Sequence, residues 1–381
     1  MSRNVSRRVF QKTLFSVACV LAMGGTHAAV QAADGKLDVV ASFSILADMV
    51  ATVGGDSVDV SVIVGRDADA HGFEPTPRDA RKLAGADLLF VNGLEFEAWL
   101  PRLVEASGFK GKQIVVSQGV KPLAFDGHGH DDDGGHDHGH EHEHGHAEGS
   151  SPDHHAHEAS HEHEHEHGHD HEHAHGHDQE SHGHAQDEGK THEAAHAHEH
   201  SHAHGSEDPH AWQDPANAVI YVQNIAQGLA EADPANAAGY RSRAETYIGE
   251  IRRLDAEIRQ ALKAVPEADR TVVTSHEAFG YFSKAYGIRF LSAVGVSSQA
   301  EASARDVASL IDQVRKENIK AVFVENITNP RLVEQIARET GARMGGTLYS
   351  DALAPAGQPA GTYLGMLRWN ADQVLKALKG G

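Results

Sequence analysis

Three histidines and one aspartate stand apart in this sequence because of where they fall. The chain holds 32 histidines, and 28 of them crowd between Asp126 and Asp208. One more, His27, lies near the N-terminus. That leaves His71 in "GRDADAHGFEPTP", His210 in "EDPHAWQDP" and His276 in "TVVTSHEAFGYF". Asp351, in "GGTLYSDALA", joins them because it too follows a strand-like run. Any one of these side chains alone reads as a helix cap or a polar loop group. Together, in a folded part that uses histidine almost nowhere else, they supply three imidazoles and a carboxylate. That donor set suits a tetrahedral Zn²⁺ ion, which accepts both nitrogen and oxygen.

The rival source of imidazole is "EHEHEHGHDHEHAHGH", Glu162 to His177. In an extended chain alternate positions point the same way, so imidazoles line one side and carboxylates the other. Such a stretch can take up several metal ions, but each binding event must order flexible chain, which weakens every site. From Asp126 to Asp208 there are 23 Asp and Glu against one Lys. Apolar periodicity is absent there, so the segment should be disordered and is read as an insertion. It accounts for the formal net charge of -22. The rest of the chain balances 32 basic against 32 acidic groups. Neither a nucleic-acid surface nor a polybasic membrane patch is indicated, so no nucleic-acid partner is expected.

The N-terminus reads as an export signal over residues 1–32. "SRRVFQK" (Ser6 to Lys12) is followed by a short apolar run from Thr13 to Gly25 and then "VQAA". The run is too short to span a bilayer core of about 30 Å. Ser-Arg-Arg-x-Phe-x-Lys matches the twin-arginine signature and predicts secretion by that route. Cys19 is the sole cysteine and lies inside the apolar run. A mature chain without it has no disulfide, thiol nucleophile or thiolate ligand.

The elements that must hold the four donors alternate. "LDVVAS" (Leu37 to Ser42), "VDVSVIV" (Val58 to Val64), "ADLLFVN" (Ala86 to Asn92) and "QIVVS" (Gln113 to Ser117) read as buried strands, with helices starting near Ile45, Pro77 and Glu95. After the insertion, Asp214-Pro215 opens a helix and a long helical run covers Pro234 to Ala264. Strands then return at Thr271 to Ser275, Ile288 to Val294, Lys320 to Asn326 and Gly345 to Ser350, with helices near Ala278, Ser303, Pro330 and Thr362. The expected fold is α/β: two lobes, each a mainly parallel sheet flanked by helices, joined by one long rigid helix. The N-terminal lobe takes residues 33–124 and 209–233, with the insertion at 125–208. The linking helix takes 234–264 and the C-terminal lobe 265–381. Ligands of open α/β sheets bind beyond the carboxyl ends of strands, where His71, His276 and Asp351 are expected to fall.

With these motifs in hand, the chain resembles the periplasmic metal-binding proteins of ABC transporters, the zinc and manganese cluster (A-I). "HGFEPTP", "DPHAWQDP", "TSHEAFGYF" and "YSDAL" match that family's four ligand-bearing motifs in order. The resemblance covers nearly all the mature chain except the insertion. It implies one metal in a cleft between lobes, held by His71, His210, His276 and Asp351. It also implies delivery of that ion to an inner-membrane permease, a monomeric protein, and a periplasmic metallochaperone as a further partner. Zinc-type members carry a histidine-rich loop before the second ligand motif, as here, whereas manganese-type members place a carboxylate where His276 stands. Zn²⁺ is therefore the expected cargo, with manganese transport or zinc storage by the insertion as alternatives. A zinc hydrolase is the rival from another class, but it needs an open coordination position, which Asp351 would fill. Among secondary candidates, Glu325 reads as a partner for a ligand imidazole or a buried structural acid. Glu74 and Asp79 read as helix-start residues, and Trp212 as a cover for the site or a filler between lobes.

Overall fold

A computed structural model describes residues 35–124, 207–295, 298 and 302–380. The export signal with its twin-arginine motif and Cys19, and the insertion up to residue 206, lie outside the described residues.

The first strand, β1 (Leu37–Phe43), is buried from Val39 onward, as expected for a strand covered on both faces. It runs directly into α1 (Ser44–Gly54). β2 (Val58–Val64), β3 (Leu88–Val91) and β4 (Lys112–Val115) complete a four-stranded parallel sheet in the order β2-β1-β3-β4. Between them lie α2 (Pro77–Ala84) and α3 (Leu100–Ser107). The start of α2 is a capping box: Thr76 accepts from the Asp79 amide while the Asp79 carboxylate accepts from the Thr76 amide. Asp79 is thus a helix-start residue, as expected.

The helix expected near Glu95 begins only at Leu100. Gly93, Leu94 and Glu95 all take positive φ (84°, 53° and 59°), which a right-handed helix forbids. The buried Glu97 carboxylate imposes this turn by accepting from the amides of Asn92 and Gly93 and from the Ser42 hydroxyl.

After the insertion, α4 (Pro215–Ala232) is capped by Asp214, whose side chain accepts from the Ala216 amide. The linking helix, α5 (Ala237–Leu262), is shorter at both ends than the expected 234–264. Its start is delayed because the Asp233 side chain accepts from the Asn236 amide and the Tyr240 hydroxyl, holding Pro234 to Asn236 in a turn. At 26 residues α5 is about 39 Å long. Its buried stripe (Tyr240, Ala244, Tyr247, Ile251, Leu254, Ile258, Leu262) keeps helical spacing throughout.

The C-terminal lobe repeats the same strand order, β6-β5-β7-β8, again all parallel. Its strands are β5 (Thr271–His276), β6 (Arg289–Val294), β7 (Ala321–Val322) and β8 (Arg343–Met344). Helices α6 (Gly280–Tyr286), α7 (Ala304–Lys316), α8 (Arg331–Thr340) and α9 (Tyr363–Leu378) flank them. Two expected strands are corrected here. The run Lys320 to Asn326 keeps only β7 and one parallel bridge, Glu325 to Leu348, and Gly345 to Ser350 is not a strand. Gly345 still donates to the Val322 carbonyl and packs its backbone close to Phe323, where a Cβ would stand 2.2 Å from the ring, and regular pairing does not continue past it.

One boundary is also corrected. Asp208, assigned to the insertion, is part of the fold: it is buried, and its amide donates to the Leu123 carbonyl. Ala124 and Glu207 pair as an antiparallel bridge, so the insertion leaves and re-enters at one place. A large core runs from β1 through α4, α5, α6 and α9, and a second, smaller one lies around Val273, Leu310, Val314, Val322, Val333 and Ile336.

Candidate metal centre

His71 sits on the loop between β2 and α2, its amide donating to Asp69 Oδ1. The Trp99 indole N–H pins the same loop through the Ala70 carbonyl. His210 lies just before a 3₁₀ turn, Ala211–Gln213, and the carbonyl of its neighbour Pro209 accepts from Asn92 Nδ2. His276 is the last residue of β5. Asp351 follows Ser350, whose carbonyl accepts from the Trp212 and Gln213 side chains at 2.9 and 2.8 Å.

These four positions, spread over 280 residues of sequence, converge, with one donor atom from each within 4.8 Å of the others. Asp351 Oδ2 stands 3.4 Å from His71 Nε2 and 3.2 Å from His276 Nε2, and its Oδ1 is 3.3 Å from His210 Nε2. His71 Nε2 and His210 Nε2 are 3.2 Å apart. Donors 2.0–2.1 Å from a tetrahedral zinc ion would be separated by about 3.3 Å. The His71 side chain is 9% exposed, His276 1%, and His210 and Asp351 not at all.

Two carboxylates behind the cage fix which nitrogen faces in. Asp208 Oδ1 lies 2.7 Å from His210 Nδ1, and Glu325 Oε2 lies 2.8 Å from His276 Nδ1. An ionised carboxylate can only accept, so each Nδ1 carries a proton and each ring turns its Nε2 inward. With His71 Nε2 they surround Asp351, a buried carboxylate with imidazole nitrogens 3.2–3.4 Å from its oxygens. A buried carboxylate ringed this tightly by imidazole nitrogens, away from water, can be balanced by a metal ion or by protons on the rings.

Without a metal, protons fill that need. Burial would lower His276, but the charges of Glu325 and Asp351 overcome it and raise its pKa well above the usual value. Burial would raise Asp351; the charges of His210 and His276, with hydrogen bonds from His276 and His71, hold it well below the carboxylate range. Burial dominates at His71 and lowers it, although Asp351 opposes the shift.

Aromatic rings close one side of the cage. Phe96 stands edge-on to His71 at 4.9 Å, Trp212 lies 5.4 Å from His210, and Phe43 packs on both Phe96 and Trp212. Trp212 therefore both covers the site and bonds across to the segment of Asp351. Glu325 is a partner of His276, as its position suggested. Glu74 is exposed and takes no part in the cage. Asp208 is the residue that sequence reasoning missed. Its signal was its place two residues before His210, hidden by the acidic run it ends.

The chain matches the family described as zinc-uptake complex component A, periplasmic, over residues 39–377. It belongs to that family. It is 28% identical over 349 residues to the iron ABC transporter substrate-binding lipoprotein MtsA of Streptococcus pyogenes serotype M1, covering 90% of this chain and 89% of that one. It is 27% identical over 380 residues to the manganese ABC transporter substrate-binding lipoprotein ScaA of Streptococcus gordonii, covering 97% and 99%. Among solved structures it is similar to the Mn-bound periplasmic metal-binding protein from Candidatus Liberibacter asiaticus, with TM-score 0.64, 25% identity and coverage of 90% and 100%. The fold also matches that of the periplasmic zinc-binding protein TroA from Treponema pallidum, with TM-score 0.67, 24% identity and coverage of 90% and 99%. The two-lobed architecture expected from the sequence is the architecture of these proteins.

Proposed function

We propose that this chain captures Zn²⁺ in the periplasm and hands it to the membrane permease of an ABC importer. The coarser statement, a periplasmic metal-binding component of an ABC transporter, follows from its family and relatives. The observation that carries the finer one is the cage itself. Three inward imidazoles and one carboxylate offer more nitrogen than oxygen, which favours zinc over manganese. The ion is cargo, and Asp351 fills the position where a hydrolytic zinc site would keep a water. In this reading His71, His210, His276 and Asp351 are the ligands, the protein acts as a monomer after export, and a periplasmic metallochaperone is a further partner. The insertion gathers zinc in many weak sites and raises its local concentration.

Manganese is the second reading, supported by relatives named for manganese and by the Mn-bound structure. Competition titration of the exported protein with zinc and manganese against a chelator separates them. Zinc should bind at least tenfold more tightly at the single strong site, and a manganese preference there would reject the zinc assignment.

A further inference from the structure

Asp351 follows the C-terminal sheet in sequence, yet the segment around it is fastened mainly to residues of the N-terminal lobe. Ser350 O is held by Trp212 and Gln213, two and three residues after His210. The Leu353 amide donates to Ser44 Oγ at 3.0 Å, and the Leu353 carbonyl accepts from the Asp67 amide at 3.1 Å. Arg66 Nη1 donates to two carbonyls of the same segment, Ala354 at 2.6 Å and Gly361 at 2.7 Å. Farther on, the Tyr363 amide donates to Asp48 Oδ2. Against these, the C-terminal sheet holds Leu348, three residues before Asp351, through the Val324 carbonyl and the Asn326 amide, and beyond Asp351 contributes Asn326 Nδ2, 3.3 Å from the Ala352 carbonyl.

Two of these groups link Asp351 to another donor. Gln213 shares a turn with His210, so its bond to Ser350 O sets the distance between the His210 ring and the Asp351 carboxylate. Arg66 stands five residues before His71 and ties that histidine's loop to the chain after Asp351. Neither residue is among the four donors. We propose that Gln213 and Arg66 are positioning residues for Asp351, fixing its carboxylate against His210 and His71 so that three of the four donors ride on one lobe. The proposal rests on reading the cage as a metal site. Gln213 is fully buried, where its hydrogen bond has no competing water, whereas Arg66 is exposed. Gln213 should therefore matter more.

The test uses the full exported chain, with a chelator strong enough to strip the weaker insertion sites. Gln213→Met keeps the volume and removes the donor, Arg66→Met removes charge and donors, and Arg66→Lys restores an ammonium at the rim. Gln213→Met should weaken zinc binding about tenfold, the low end for outer partners of a metal ligand. Arg66→Met should weaken it about threefold because water screens its bonds, and Arg66→Lys should recover most of that loss. Cobalt(II) in the tight site should show a changed visible absorption in Gln213→Met, which a merely structural role would not produce. Hydrogen exchange at the Leu353 amide should quicken in metal-free Arg66→Met. Parental affinity with an unchanged cobalt spectrum in a folded Gln213→Met overturns the proposal. If that variant does not fold, parental affinity or unchanged Leu353 exchange in Arg66→Met overturns it instead. A parent chain that binds no zinc tightly overturns the metal-site reading itself, and is seen before any variant is made.

Discussion

The two lobes share one strand order but hold their donor residues differently. N-terminal strands run 7, 7, 4 and 4 residues, against 6, 6, 2 and 2 in the C-terminal lobe. His71 and His210 sit on loops pinned by Trp99, Asn92 and Asp208 and lie against the Phe96 and Trp212 rings. His276 comes straight off a strand end, oriented chiefly by Glu325, which also accepts from the Ser275 and His276 amides. The difference teaches that the N-terminal half-site is held redundantly, and the C-terminal half-site depends on one carboxylate.

The largest expected effect comes from removing the C-terminal imidazole donor. With the insertion's weak sites masked by chelator, His276→Ala should lower zinc affinity more than about 100-fold, beyond the roughly 10–100-fold range of outer partners. Affinity within a few-fold of the parent would show that His276 is not a ligand.

Next comes a direct contrast between the two orienting acids. Glu325 accepts from two backbone amides with Oε1 and sets Oε2 2.8 Å from His276 Nδ1, so Glu325→Gln must turn an amide N–H toward one or the other. Asp208 uses the single oxygen Oδ1 for both the His210 amide and Nδ1, so Asp208→Asn can present its remaining oxygen to the same groups. Glu325→Gln should cost zinc affinity roughly 10–100-fold and Asp208→Asn less than about tenfold. The reverse order in a competition titration would refute the asymmetry between the lobes.

The sequence revealed the four donor residues that the fold brings together and concealed some of their supports, for physical reasons. His71, His210 and His276 were legible because imidazole is scarce outside the insertion. Asp208 was not, since one more acid at the end of an acidic run carries no signal. Parallel strands were legible as apolar runs. The shortness of β7 and β8 was not legible in the same way, because the strand-like runs continue past where regular pairing ends. The late start of α3 depended on left-handed Leu94 and Glu95, residue types with no preference for that conformation.

A smaller effect should appear in the pH dependence of the metal-free protein. Burial lowers His276, but Glu325 and Asp351 raise it well above 6.5. Its stabilisation is therefore complete below its unfolded value near 6.5 and is lost as pH rises through the raised folded value. Burial raises Asp351, but His210 and His276 hold it well below 3.8. Its stabilisation is complete above its unfolded value and is lost as pH falls through the depressed one. The His276 and Asp351 contributions should thus be jointly largest between about pH 4 and 6.5, opposed below 6.5 by the lowered His71, and saturating zinc should abolish the alkaline decline in melting temperature. A metal-free melting temperature that climbs from pH 6 to 9 would contradict the proton-filled cage.

The smallest effect belongs to the support of the His71 loop. Thr76→Ala breaks the capping box of α2 and should cost about 1 kcal/mol of stability. Zinc affinity should change less than twofold, because the loop is also pinned through Trp99. A large affinity loss in calorimetry would show that the cap, and not the pinned loop, sets His71.

The central claim is that the metal is held by the cage and not by the histidine run. Ala124 and Glu207 already pair, so deleting residues 127–205 leaves only a short turn between them. Zinc titration of that deletion protein is the most direct measurement. The account predicts one tight site with affinity close to the parent's, and loss of the additional weak sites. Disappearance of tight binding on deletion would make the histidine run the principal site and contradict the account.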